Sequence, residues 1–429
     1  MSARRPGAPG DRSGGHPASP WGHVARAAAA LAAGMGVGRF VYTPILPLMH
    51  AQAGLTAGTG ANLATANYAG YLLGALAGIA LPALVRSAAV LRTSLAVLTG
   101  SLALMPAARD TSVWFVLRLS AGVASALIFV IAVSSLLGHL RRHPAHLPGW
   151  GFGGVGAGIA LSGLLVLALH WLGPLAGWRT AWYASAALAA LLGAASWNLR
   201  PEAAPPATAG GPASTPGTGV HRWFTALFVS YSLEGIGYIV AGTFLVSAIE
   251  QSSPGWAGSG AWVLVGLAAV PSAALWAWLG RRWSRPGLLL AALVIQAAGI
   301  ALPVLIAGVP AALVSAALFG GTFIGISTLA LATGAHLRVP RSVALLTAGY
   351  SVGQMLGPPV VTPLLRHGYH QALLLAAAVV LAAAAAAAVL RAGFPGRTTM
   401  THRTPPEPTA RVPGDESAGF PEAGRDPGR

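Results

Sequence analysis

Charge is almost missing from long stretches of this chain, and that limits its fold more than any other feature. Twelve apolar runs of about 18 to 28 residues follow one another, over residues 25–49, 61–84, 91–108, 111–138, 150–172, 179–199, 223–249, 260–280, 287–308, 311–335, 342–365 and 370–391. A helix needs roughly 20 apolar residues to cross a bilayer. In lipid only helices and closed barrels satisfy every backbone polar group, and these runs are continuous rather than alternating, so they are expected to be helices. Composition points the same way: 8% of the 429 residues are charged and 55% are hydrophobic, whereas a soluble domain carries roughly a quarter charged residues. Lipid must cover most of the surface.

Residues 1–22 are rich in Pro, Gly, Ser and Arg and read as a disordered cytoplasmic tail, as do residues 392–429. The first apolar run is too long for a signal h-region and carries no small-residue cleavage pattern. Residues 200–222, containing PEAAPPATAGGPASTPGTG, read as a flexible cytoplasmic linker between six-helix bundles at 23–199 and 223–391. Cytoplasmic loops of membrane proteins carry the excess of basic residues. With the N-terminus inside, inside loops hold 11 arginines (Arg86, Arg92, Arg141, Arg142, Arg200, Arg222, Arg281, Arg282, Arg285, Arg338 and Arg341) against 3 outside (Arg109, Arg179 and Arg366). Both termini are therefore expected in the cytoplasm of an inner-membrane, multi-pass protein.

The formal charge of +16 would draw nucleic acid to a soluble protein, but here the arginines sit between apolar runs, so no nucleic-acid partner is expected. Cysteine is absent, and all 26 basic residues are arginine. That removes disulfides, thiolate metal sites, a Walker lysine and Schiff-base chemistry. No cofactor and no metal are expected, and the partners are the bilayer, a small-molecule substrate and protons, with the chain acting as a monomer.

Charged groups at bilayer depth cost several kcal/mol unless paired or facing a watery cavity, so each is a candidate for function. Three qualify: Arg39 in the first run, Arg118 in the fourth and Glu234 in the seventh. Arg39 can hold a carboxylate or phosphate in bidentate fashion. Glu234 can carry a proton, or pair with Arg39 when substrate is absent; a permanent Arg39–Glu234 pair that only fixes packing is the competing reading. Tyr42, Asn67, Tyr71, Tyr238, Gln296 and Gln354 lie near the same depth. A cavity lined by tyrosines and amides suits a small polar organic molecule, although for any one of them an interhelical hydrogen bond is the simpler role.

The local sequence Gly36-Val37-Gly38-Arg39-Phe40-Val41-Tyr42-Thr43-Pro44, followed by Leu46-Pro47-Leu48-Met49, resembles the YbfB/YjiJ branch of the major facilitator superfamily. So do Ala66-Asn67-Tyr68-Ala69-Gly70-Tyr71-Leu72-Leu73-Gly74 and Leu233-Glu234-Gly235-Ile236-Gly237-Tyr238-Ile239. The resemblance spans residues 24–391. It implies an all-α integral membrane fold of twelve transmembrane helices in two six-helix halves that rock around a midplane site. Arg118-Leu119-Ser120-Ala121-Gly122 is similar to the superfamily's RxxxG signature. The proline of the antiporter signature in helix 5 is missing from Gly156-Ala157-Gly158-Ile159-Ala160, which weighs against drug/proton antiport.

Two glycine stripes, Gly70, Gly74 and Gly78 in helix 2 and Gly349, Gly353 and Gly357 in helix 11, let helices approach closely. Those two helices meet across the halves in the superfamily, so the stripes are expected to act as gliding surfaces or as static packing. Gly349-Tyr350-Ser351-Val352-Gly353 fits a nucleophile-elbow pattern and Gly151–Gly156 a dinucleotide fingerprint, but each falls inside an apolar run without the strand its chemistry requires. His139, His143 and His146 read as a basic loop at the lipid headgroups, and Trp171 and Trp178 as interface anchors. The expected activity is secondary transport, without ATP, of a small organic molecule with an anionic group favoured. The alternatives are efflux of hydrophobic drugs and a non-transporting membrane sensor or scaffold.

Overall fold

The computed structural model describes residues 20–140, 143, 147–173, 177–201, 218–337, 339 and 341–393. None of the described residues is in a strand. The helices are α1 (Pro20–Leu31), α2 (Tyr42–Ala53), α3 (Ala57–Ala80), α4 (Pro82–Val85), α5 (Ala88–Leu104), α6 (Thr111–His139) and α7 (Leu147–Trp171). They continue with α8 (Trp178–Ser196), α9 (Thr218–Ser252), α10 (Ala257–Leu279), α11 (Arg285–Leu305), α12 (Val309–His336), α13 (Ser342–Val361) and α14 (Tyr369–Gly393). The described residues fall in one compact unit. The expected tails at 1–19 and 394–429, most of the expected linker, and Arg141, Arg142, His146 and Arg338 lie outside the described residues.

Each expected run is helical. Nine helical segments among the described residues are long and apolar enough to cross a membrane. The runs at 91–108, 179–199 and 342–365 form α5, α8 and α13, which fall short of that measure because they are brief or diluted by polar and small residues. Two boundaries move. The first helix begins at Pro20, within the stretch read as tail, because proline is preorganised for a first helical turn. Helix α9 begins at Thr218, five residues before the expected start of the second bundle at 223.

Capping residues set several starts. Thr56 accepts from the Thr59 amide at 3.1 Å before α3, and Ser87 from the Val90 amide at 3.3 Å before α5. Asp110 accepts from the Ser112 amide at 2.9 Å before α6. That backbone hydrogen bond favours the charged form and holds the exposed Asp110 carboxyl below its usual range.

Glycine decides how closely the helices pack. A Cβ on Gly70 would lie 2.0 Å from the Leu119 carbonyl oxygen and one on Gly74 2.6 Å from that of Val123, both on α6; Gly122 of α6 answers against the Asn67 carbonyl at 2.0 Å. Gly353 faces Ser232 at 2.4 Å, Gly357 faces Ile239 at 2.4 Å, and Gly349 meets Ser232 and Phe228, all on α9. The stripes thus press α3 on α6 and α13 on α9, as static packing would, while α3 and α13 also pack against each other. Gly78, at 3.6 Å from Val130, is only in ordinary contact.

The glycines of α7 explain the chance dinucleotide match. Gly154 and Gly158 press on the backbone of Ala28 and Ala32 at 2.2 and 2.5 Å, while Gly156 meets the Val270 amide at 2.5 Å on α10 and Gly266 meets that of Ala160 at 2.1 Å. Helix α7 is therefore wedged between the first span and α10, with backbone touching backbone on both sides. The elbow-like Gly349–Gly353 stretch lies wholly within α13. Trp171 is 75% exposed, as an interface anchor would be, but Trp178 is buried edge-on against Trp114 at 5.7 Å and is not an anchor. His139 stacks on His23 of α1 with centroids 4.0 Å apart, so it is packed as well as solvated.

Candidate substrate site

The first span is irregular at its middle. Ala32–Val37 forms a π-helical turn and residues 38–41 a hydrogen-bonded turn with helical dihedrals at Gly38 and Val41, before α2 begins at Tyr42. Gly34, Gly36 and Gly38 lower the helix preference of this stretch, and Pro44, without an N–H, leaves the Phe40 carbonyl without its α-helical donor. The ladder widens accordingly: Gly38 N–H donates to Ala33 at 2.8 Å and Phe40 N–H to Met35 at 3.3 Å, each five residues back. Irregular backbone at membrane depth persists only where protein or a polar cavity satisfies it.

Arg118 of α6 satisfies it. Its guanidinium donates to the Gly38 and Arg39 carbonyls, each at 3.4 Å, and lies over the Tyr42 ring at 4.8 Å and the Trp182 ring at 5.9 Å. Asn67 donates to the Arg118 carbonyl at 3.0 Å, and the Tyr42 hydroxyl donates to Gly60 at 2.9 Å. These three expected site residues are thus turned to backbone carbonyls, where they hold α3, α6 and the irregular span in register.

Arg39, carried on this irregular stretch, is 2% exposed. One of its nitrogens donates to the Gln354 side-chain oxygen on α13. Its guanidinium carbon lies 4.4 Å from the Tyr71 ring centroid, 4.8 Å from Tyr68 and 5.4 Å from Phe40. Aromatic faces attract a desolvated cation by about 2 kcal/mol or more. The Tyr68 hydroxyl pairs with the Thr243 hydroxyl on α9 at 2.8 Å, and the Thr43 hydroxyl donates to Gly242 at 2.5 Å. The structure therefore brings together Arg39, Tyr71 and Gln354, three residues far apart in sequence.

Glu234 of α9 is fully buried. Gln296 of α11 is its side-chain hydrogen-bonding neighbour. Glu234 makes no ion pair with Arg39 in this conformation; each charge faces a neutral amide.

Five rings form a column beside these charges. Tyr231 stacks on Tyr350 at 4.4 Å and 10°, Tyr238 on Tyr350 at 5.9 Å and 19°, and Tyr238 on Phe323 at 5.3 Å and 14°. Phe319 lies 6.0 Å and 18° from Tyr238. Phe40 meets the column edge-on, at 6.4 Å from Tyr238 and 6.2 Å from Phe323. Of the expected residues, Tyr238 sits at the centre of this column.

Sequence reasoning misses Tyr68, Phe40, Tyr350, Phe319, Phe323 and Trp182 as site residues. Tyr68 had a signal, since it stands three residues before Tyr71 on one helix face. Phe319 and Phe323, four apart on α12, read as ordinary core spacing, and Tyr350 was absorbed in the elbow pattern.

The match of residues 31–389 to the family model described as "Uncharacterised MFS-type transporter YbfB" decides the family. The chain belongs to the YbfB family of major facilitator transporters. This YbfB-family chain is therefore a multi-pass membrane protein and a transporter of small molecules rather than an enzyme. A crystal structure of a point mutant of the nucleoside transporter NupG superposes with a TM-score of 0.64 over 86% of this chain and 99% of that one, at 14% identity. At that identity the likeness is one of fold alone. No curated protein matches the chain.

Proposed function

We propose that the chain is a secondary active transporter that moves a small organic molecule bearing an anionic group by alternating access. The observation that carries this reading is Arg39: a buried guanidinium at the irregular middle of the first span, flanked by two tyrosine faces and held by a single neutral amide, Gln354. Such a group has donors to spare for a carboxylate or phosphate. A π-helical turn inside a helix often marks a functional site, and transporters bind their substrates near the bilayer midplane. Tyr71, Tyr238 and Gln354 complete the binding surface, Arg118, Asn67 and Tyr42 position it, and Glu234 with Gln296 forms the proton-binding unit.

Around this site the proposal keeps twelve spans in halves at 23–199 and 223–391, with both termini on the cytoplasmic side of the cell membrane and the monomer as the working unit. The backbone-to-backbone contact of α7 with α10 joins the two halves. Efflux of hydrophobic compounds is the second reading, favoured by the five-ring column.

The test is counterflow into proteoliposomes preloaded with pooled metabolites, read by mass spectrometry, for wild type and Arg39→Lys, with and without a pH gradient. Accumulation of an anionic metabolite by wild type, reduced in the variant, is expected. Equal movement of uncharged or cationic compounds by both proteins rejects the anionic reading in favour of efflux.

A further inference from the structure

Hydrogen bonds that cross between the two halves climb away from Arg39 toward one end of the bundle. Beyond the Arg39–Gln354 bond, the Thr43 hydroxyl donates to Gly242 at 2.5 Å, the Tyr68 hydroxyl pairs with that of Thr243 at 2.8 Å, and the Tyr369 hydroxyl pairs with His50 Nε2 at 2.7 Å. His50 stands about 15 Å along the chain axis from Arg39. It lies at the end where α2 and α9 finish and α14 begins, the end that the arginine count reads as the outer face.

Burial follows the same direction. On α9 every residue from Gly237 to Ile249 is buried, whereas from Val220 to Leu233 only Leu227, Ser230 and Tyr231 are. A helix buried on all its faces is covered by both halves, so the route from that end to Arg39 is shut.

Each member of the outermost pair is fixed to its own half. Gly54, at a φ of 64°, caps α2 and turns the chain so that the Leu55 carbonyl meets His50 Nδ1. Nδ1 then carries the hydrogen, which leaves Nε2 of the neutral ring to accept from the Tyr369 hydroxyl. The Tyr369 ring stacks on Phe244 of α9 at 5.7 Å, and its amide donates to the Gln251 side chain at 3.1 Å. His50 therefore moves with the first half and Tyr369 with the second.

We infer that His50 and Tyr369 are the outer latch of the transport cycle: their bond holds the halves together in this outward-closed conformation and must part before the Arg39 site opens to the outside. This rests on the alternating-access reading. Halves that rock as rigid bodies separate most at their rims, where one bond between fixed partners is made or lost whole. Both groups regain water on opening, so the bond favours the closed state only about two- to tenfold, weak enough to break in every cycle.

The chain has no cysteine, so Gly242→Cys supplies its only thiol. A Cβ there meets nothing nearer than 3.9 Å and faces Phe40 across the halves. The full-length protein is labelled with a membrane-impermeant maleimide in intact cells and, separately, in inverted vesicles. Adding Tyr369→Phe, which keeps the ring and removes only the hydroxyl, is expected to speed labelling from outside about two- to tenfold. His50→Gln, made on the other half, is expected to act in the same direction. Tyr183→Phe, at a tyrosine 52% exposed on α8, is the control and is expected to leave the rate alone. An unchanged outside rate in both latch variants overturns the inference. So does a rise of equal size from both sides, which marks a loosened fold, and a rise from the inside alone, which puts this end of the bundle at the cytoplasm. Labelling needs no substrate, so these outcomes are separate from the metabolite counterflow, which judges the transport reading on its own.

Discussion

The guanidinium of Arg118 donates to the main-chain carbonyl of Arg39 at 3.4 Å, so one buried arginine holds the backbone that presents the other. The irregular first span exposes two carbonyls, of Gly38 and Arg39, and no water is needed to satisfy them because α6 delivers a cation to both. Desolvation costs Arg118 several kcal/mol, which the two charge-assisted hydrogen bonds and the Tyr42 and Trp182 faces offset. Arg118 then belongs to the architecture of the site, and Arg39 to its chemistry.

Arg118→Ala should therefore lower stability by about 1–3 kcal/mol for each carbonyl left unmet. Thermal unfolding in detergent would show it as a lower Tm. Arg118→Lys keeps one donor direction and should recover part of the loss. A full-length Arg118→Ala protein with unchanged Tm and lost binding would instead place Arg118 on the substrate.

Glu234→Gln should abolish accumulation driven by a pH gradient while sparing exchange of substrate across the membrane. The variant keeps the shape of the side chain and removes its proton-binding charge. Transport assays in proteoliposomes at matched and unmatched pH separate the two, and an unchanged pH dependence rejects Glu234 as the coupling residue.

Gly266→Ala should fold poorly, because its new methyl would sit 2.1 Å from the Ala160 amide nitrogen, with backbone on the other side and no side chain to yield. Overpacking of this kind costs about 1–3 kcal/mol, and backbone contact puts it at the upper end. Gly100→Ala on α5 is the control: nothing stands within 4 Å of its Cβ, so it should be neutral or slightly stabilising through helix propensity. The yield of monodisperse protein and its Tm report both.

Asp110→Ala should lower the Tm at neutral pH by removing the cap of α6. The folded Asp110 carboxyl titrates below its ordinary value, so its contribution is fully present above the unfolded value, about pH 3.9, and is lost as pH falls through the folded one. The gap between wild type and variant should therefore close only in strong acid. Asp110→Asn, which still accepts from Ser112, should behave more like wild type.

The helices were legible in the sequence because lipid leaves the backbone no alternative: a long apolar run must close its own hydrogen bonds, whatever its neighbours do. Arg39, Arg118 and Glu234 were legible as candidates for the related reason that a charge at such depth needs an explanation. What the run of residues could not show is partner choice. That the Gly70 and Gly353 stripes meet α6 and α9, that Trp178 turns inward, and that Arg39 faces Gln354 while Glu234 faces Gln296 all depend on which helix lies beside which. Pairings between residues hundreds of positions apart are set by close packing of backbones and rings, and no local pattern encodes them. The sequence by itself determined a helical membrane protein with three buried ionisable groups; only the tertiary structure decided that Arg39 and Glu234 make no ion pair, each beside a neutral amide, because which helix lies against which is set by close packing.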